Sequence, residues 1–255
     1  MDTPVIDFHA HVGNWGRHRV NGNIERYIEI MDHAGIDMAC INNIFLGDAR
    51  VANDKVAEIV SKNPDRFVPV AFVTPHYPDE AISELERAFY QLGMKYLKIY
   101  PDYYQKPNDH PDYFPIYEWL NENKIPVMSH ATYPFDLPGT TVLKRFRNLS
   151  ERYPNISWIL AHGGSYGPGK LTKEISELGN VYLETCGSGA AKDAIENSVE
   201  LVGPDRVLFG TDMALLDARH QIGKVITANI SDNDKRKILG GNTIKLLDIS
   251  TNYRD

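Results

Sequence analysis

The chain has 255 residues, close to the roughly 250 typical of a (β/α)8 barrel. With 42% hydrophobic and 24% charged residues a packed globular core is expected, and a net charge of −7 without a basic stripe argues against nucleic acid as a partner. No run approaches about 18 consecutive apolar residues, Met1–His9 carries no basic or apolar leader, and Cys40 and Cys186 form no CxxC pair; the expectation is a cytoplasmic protein with no membrane span and no disulfide framework.

Along the chain, short β-branched runs recur at Val5–Phe8, Met38–Ile44, Phe67–Val73, Tyr96–Tyr100, Ile125–Met128, Ile156–Leu160, Val181–Leu183 and Val207–Phe209. Each is brief, apolar and bounded by turn residues, as expected of strands buried on both faces of a parallel sheet. Between them lie helical spacings: Ile24, Tyr27, Ile28, Met31 and Ala34; Ile82, Leu85 and Phe89; Phe114, Tyr117 and Leu120; Ala191, Ile195, Val199 and Val202. Gly35, Gly93, Gly179 and Gly203 each precede a strand and are expected to stop a helix in the left-handed conformation. Asp232–Leu247 reads as further helix on the outside. No linker divides the chain, so residues 1–255 are expected to form one α/β domain.

Strand–helix alternation allows an open doubly wound sheet or a closed barrel. The polar residues at the strand ends favour the barrel, because they occur on the first, fifth, sixth and eighth runs and only a closed barrel brings those ends to one rim. The first run ends Asp7-Phe8-His9-Ala10-His11, and residues two apart on a strand share a side. His9 and His11 thus present two imidazoles together, which suits two ligands of one divalent metal. Read instead as barrel-core histidines, they would be costly to bury without partners. The fifth run leads to Ser129-His130, the sixth to Ala161-His162-Gly163-Gly164, and the eighth to Gly210-Thr211-Asp212. A lone histidine after a strand is ordinarily structural; the four strand ends together make a specific constellation.

That constellation resembles the amidohydrolase superfamily, in the branch that also holds 2-amino-3-carboxymuconate-6-semialdehyde decarboxylase. The segments VIDFHAHVG, LKIYP, VMSHAT, ILAHGG and LFGTDM carry the resemblance, which covers Val5 to about Leu247. It implies that His9, His11, His130 and Asp212 ligate zinc or a similar divalent ion (manganese, iron or nickel), one per chain. It also implies that His162 lies beside the metal as an acid/base or polarising group. Metal ligation lowers the pKa of bound water to about 7, and Asp212 at the rim would be in reach of its proton. Asp212 and His162 are therefore the expected catalytic residues.

Lys98 lies in the fourth run among apolar neighbours. In binuclear relatives a lysine on strand four is carboxylated and bridges two metals, which here would raise the count to two per chain; the alternative is a lysine at the barrel mouth that contacts an anionic substrate or pairs with a carboxylate. Tyr100, Tyr103, Tyr104 and Tyr133 either line a substrate pocket or pack loops. Arg17 and Arg19 either meet a substrate carboxylate or are surface residues. His18, His33, His76, His110 and His220 lie on helices or loops and read as structural or exposed, although His76 ends the third run within reach of the rim. Glu184 and Cys186 end the seventh run, and no base neighbours Cys186 in sequence to make it a nucleophile.

The leading expectation is hydrolysis of an amide, lactone or ester of a small molecule by metal-activated water. The alternative is non-oxidative decarboxylation of an unsaturated or aromatic carboxylic acid, and a non-catalytic metal-retaining barrel is the third reading. The same ligand set serves both reactions. A homodimer is the commonest oligomer and stands as the expectation for assembly.

Overall fold

The computed structural model describes residues 3–16, 22–131, 142–165, 175–189 and 191–250. Its strands are β1 (Ile6–His11), β2 (Met38–Asn42), β3 (Phe67–Pro69), β4 (Ala71–Phe72), β5 (Leu97–Ile99), β6 (Val127–His130), β7 (Trp158–Ala161), β8 (Val181–Glu184) and β9 (Val207–Leu208). Its helices are α1 (Ile24–Ala34), α2 (Ala49–Lys62), α3 (Pro78–Tyr90), α4 (Pro101–Tyr104), α5 (Phe114–Glu122), α6 (Val142–Arg152), α7 (Ala194–Val202), α8 (Ala218–Ile226), α9 (Asp232–Arg236) and α10 (Asn242–Leu247).

Every strand pair is parallel, in the orders β1-β2-β3 and β4-β5-β6-β7-β8-β9. β3 and β4 are two pieces of one strand. Val70 between them donates to Ile41 O on the β2 side and Ala71 donates to Tyr96 O on the β5 side, so the ladder is continuous. The ring closes where β9 runs past its last paired residue. There Phe8 N donates to Phe209 O (2.8 Å), Asp212 N to His9 O (2.7 Å) and His11 N to Met213 O (2.6 Å). The closed barrel expected from the strand ends is thus the architecture.

Alternation along the strands separates two apolar clusters. Ala39, Ile41, Leu97, Ile99, Trp158 and Leu160 join the large cluster shared with the helices. Ile6, Phe8, Cys40, Val68, Tyr96, Met128 and Leu208 form the barrel interior. Against this interior pack Ile244, Leu246 and Leu247 of α10. The C-terminal helices therefore do more than coat the outside, as the sequence suggested: α10 presents its apolar residues to the barrel interior itself. Asn42 ties β2 to β1 by donating to Ala10 O (3.2 Å).

The helices begin and stop for local reasons. Asn23 caps α1 by accepting from Arg26 N, and Gly35, at φ 71°, ψ 33°, ends it in the left-handed form. Gly203 has positive φ but an extended ψ of 154°, and Gly179 is not among the positive-φ glycines, so these two do not follow the left-handed stop expected of them. No helix among the described residues is long and apolar enough to cross a membrane.

Candidate metal centre

The pairing of β1 with β2 slips between Asp7 and Ala10. Such an irregularity re-aims side chains. Here Phe8 stacks on Tyr96, the residue before β5 (4.5 Å between centroids), while His9, the next residue, meets Lys98 within β5. Consecutive residues of β1 thus both reach across the barrel, Phe8 into its apolar interior and His9 into a polar layer at the strand ends.

In that layer His9 Nε2 and His11 Nε2 lie 3.2 Å apart. Asp212 Oδ1 lies 3.0 Å from His11 Nε2 and 3.7 Å from His9 Nε2. Asp212 reaches this point from a left-handed backbone (φ 58°), and His162 likewise (φ 67°). Non-glycine residues take that conformation rarely, and such strain concentrates at functional sites.

The outer ring nitrogens are already committed. His9 Nδ1 donates to Glu184 Oε2 (2.9 Å) and His11 Nδ1 to Asn42 Oδ1 (2.8 Å), an assignment that follows from the two oxygens as acceptors. Both Nε2 atoms are thereby turned to the centre, the arrangement in which a buried carboxylate or amide orients a metal-ligating histidine. His9 Nε2 accepts from Lys98 Nζ (3.0 Å). His11 Nε2 faces the Asp212 carboxylate. Burial, and then Lys98, hold His9 well below its ordinary value, so it is neutral. Burial opposes the charge on Asp212, but its contact with His11 and the neighbouring His9 keep its carboxyl well below the usual carboxylate range. Two imidazole nitrogens and a carboxylate oxygen at 3.0–3.7 Å match the spacing of ligands placed about 2.0–2.2 Å from one ion. The donor set fits a divalent metal.

Asp7 fastens this geometry from below. It accepts from His9 N (2.9 Å), Thr211 N (2.9 Å) and Thr211 Oγ1 (2.5 Å), so one carboxyl ties β1 to the residue before Asp212. Complete burial pushes it up to about 8. Gly210 is required beside it, because a Cβ there would strike the Glu184 carboxylate and His9.

The other expected residues surround this core. Lys98 is fully buried, and burial brings its ammonium down to about 8. The His162 ring lies 5.1 Å from that of His9 and 5.0 Å from that of His130. Its Nδ1 contacts Cys186 O (3.2 Å), and burial lowers it to about 4. His130 is held differently from the β1 pair: its Nδ1 pairs with Asp102, its Nε2 meets Tyr100 OH (3.0 Å), and its ring stacks on Tyr100 (4.0 Å). Among the described residues two groups have ligand atoms all within 4.8 Å of one another, His9/His11/Asp212 and His9/His162/Glu184/Cys186; His130 is in neither. His76 is exposed and edge-on to Tyr104 (5.9 Å). Tyr133, Arg17, Arg19 and His18 lie outside the described residues.

Three supporting residues went unread in the sequence. Glu184 was noted only as a strand end; it accepts from His9 Nδ1, from His162 N (3.1 Å), and from both the backbone and the thiol of Cys186. Asn42 and Asp102 gave no signal beyond polar residues after apolar runs, Ile41-Asn42-Asn43 and Tyr100-Pro101-Asp102.

Comparison with known proteins places this geometry. A family model described as Amidohydrolase matches residues 6–249. The chain is 24% identical, over 80% of its length and 67% of the relative's, to a 2-amino-3-carboxymuconate-6-semialdehyde decarboxylase of Dictyostelium discoideum. It is 26% identical, over 79% of its length and 76% of the relative's, to a gamma-resorcylate decarboxylase of Polaromonas sp. strain JS666. Among solved structures, a dihydroxybenzoic acid decarboxylase from Polaromonas sp. JS666, with bound manganese and the inhibitor 2-nitroresorcinol, superimposes with a TM-score of 0.78 at 21% identity, covering 99% of this chain and 100% of that one. These relatives overturn the expectation of amide, lactone or ester hydrolysis, since the curated proteins the chain resembles are named decarboxylases. The ligand residues could not reveal this, because they serve both reactions; Lys98 is fully buried with its Nζ 3.0 Å from His9 Nε2.

Proposed function

The chain belongs to the amidohydrolase family, and from that membership we propose that it is a metal-dependent, non-oxidative decarboxylase of an unsaturated or aromatic carboxylic acid. The observation that carries the reading is the buried meeting of His9, His11, Asp212 and Lys98 in a family whose matched relatives release carbon dioxide. His9, His11 and Asp212 would hold one divalent ion of the zinc or manganese kind, with His130 as the further imidazole that the family resemblance assigns to it. When bound, the ion supplies Lewis acidity to an oxygen of the substrate.

The chain's own residues do the rest. Lys98 is a fixed buried cation that attracts the substrate anion in a low-dielectric setting, where its charge counts for more than in water. Breaking the carbon–carboxylate bond leaves an electron pair on carbon, so a proton must arrive there. Asp212, ionised and held by His11 on one side, would relay that proton from solvent to the carbon rather than store it. His162 is a neutral imidazole, its Nδ1 directed at Cys186 O and its Nε2 left as the proton-accepting position. A neutral histidine can take a proton and return it, which a permanently charged one cannot. Left-handed backbone at both residues fixes them at the strand ends.

Carbon dioxide release decides the reading. Metal-loaded protein incubated with ortho-hydroxylated benzoic acids and conjugated dienoic acids should yield carbon dioxide and the shortened product in equal amounts. A preparation that releases none, yet opens amides or lactones, would return the chain to the hydrolases.

A further inference from the structure

Eight rings form a closed circuit of contacts around the site. Four are imidazoles on its floor: His9 meets His11 (5.0 Å) and His162 (5.1 Å), and His162 meets His130 (5.0 Å). The contacts then climb on two sides. His11 meets Phe45 (5.7 Å), and His130 stacks on Tyr100 (4.0 Å, 18°). Tyr100 stacks on Tyr103 (4.2 Å, 13°), and Tyr103 stands edge-on to Trp15 (6.0 Å, 85°). Trp15 stacks on Phe45 (4.5 Å, 29°) and completes the circuit.

The rim rings come from three connections that are far apart in sequence: Trp15 follows β1, Phe45 follows β2, and Tyr100 and Tyr103 follow β5. Phe45 and Trp15 are only half-buried, and Tyr103 is 43% exposed. Packing of neighbouring loops explains one such pair. It does not explain why three loops each bring an aromatic ring to the strand ends beside His11 and His130. Part-exposed aromatic rings, continuous through Tyr100 with the buried Lys98 ammonium (5.8 Å from that ring), are suited to a ligand that is flat at one end and anionic at the other.

We propose that Trp15, Phe45 and Tyr103 are specificity-determining residues: they form a wall that accepts the flat face of a conjugated acid and discriminates against a puckered ring of the same charge and size, the carboxylate pointing to Lys98. The ligand class rests on the decarboxylase reading; the wall and its selectivity for flatness do not. Aromatic faces gain from stacked and edge-on partners, whereas a puckered ring meets the same wall at few atoms.

The test is binding, not turnover. Metal-loaded protein is titrated by calorimetry with benzoate and with cyclohexanecarboxylate, which share a charge and nearly a size but differ in flatness. Benzoate should bind about tenfold more tightly, and only benzoate should change the tryptophan emission. Trp15→Ala and Phe45→Leu should bring the ratio near unity, while Trp15→Phe keeps most of it. Tyr103→Ala, the most exposed of the three positions, should lower the ratio with the least risk to folding. Equal affinities in the wild type, or a ratio unchanged in all these variants, overturns the wall. Carbon dioxide release without flat-ring preference would sink this inference and spare the decarboxylase reading. Preference for benzoate with no carbon dioxide from any acid would do the reverse.

Discussion

Two layers of the barrel interior are made by the same strands a residue or two apart. β1 gives Phe8 to one and His9 to the other; the run into β5 gives Tyr96 and Lys98. In the apolar layer Phe8 and Tyr96 stack among Ile6, Val68, Met128 and Leu208, and Tyr96 OH donates to Phe8 O (2.5 Å). Nothing in that layer needs a ligand. In the polar layer three ligand atoms face one another, His9 and His162 are kept neutral by burial, and Lys98 is pressed down to about 8. The contrast teaches that this barrel divides its labour along its axis: the apolar layer holds the strands together, and the polar layer spends part of that stability on side chains positioned for chemistry.

The largest test of the division is His9→Ala with His11→Ala. Two of the three facing ligand atoms disappear, so metal content should fall from about one per chain to none and turnover by at least about a thousandfold. The circular dichroism spectrum should persist, since the apolar layer is untouched. Elemental analysis and thermal melts check both halves; stoichiometric metal in the double variant would break the assignment.

Phe8→Ala is the mirror experiment. It empties a fully buried aromatic site in the apolar layer, which should cost about 3–5 kcal/mol in denaturant unfolding. At temperatures where the variant is folded it should still bind metal. Loss of metal with unchanged stability would show that the two layers are not separable.

What the sequence revealed follows the same line. The eight strands were legible because each is buried on both faces and so reads as a β-branched run. His9 and His11 were legible because their spacing needs only one strand. The slip between Asp7 and Ala10, which lets Phe8 and His9 both point inward, depends on how β1 pairs with β2 and leaves no local mark. Glu184 and Asn42 act on the histidines across 175 and 31 positions, and their roles depend on which strands lie side by side. The reaction differs from the leading expectation for a chemical reason: both candidate reactions use the same ligands, and the relatives are what separate them.

The comparison can be sharpened at one residue outside the His9/His11/Asp212 set. Glu184 receives donors from His9, His162 and Cys186 on its two oxygens, so it aligns both histidines at once. Glu184→Gln preserves the shape but offers a single acceptor oxygen, so at least one donor must lose its partner or meet the new amide N–H. If the polar layer is positioned from behind, metal affinity measured by chelator competition should fall about 10- to 100-fold, the usual cost of losing such a partner. Unfolding should move far less than in Phe8→Ala, because no cavity forms. An affinity equal to the wild type would mean that His9 is set by Lys98 and the β1 slip alone, and Glu184 would then belong with the structural residues beneath it.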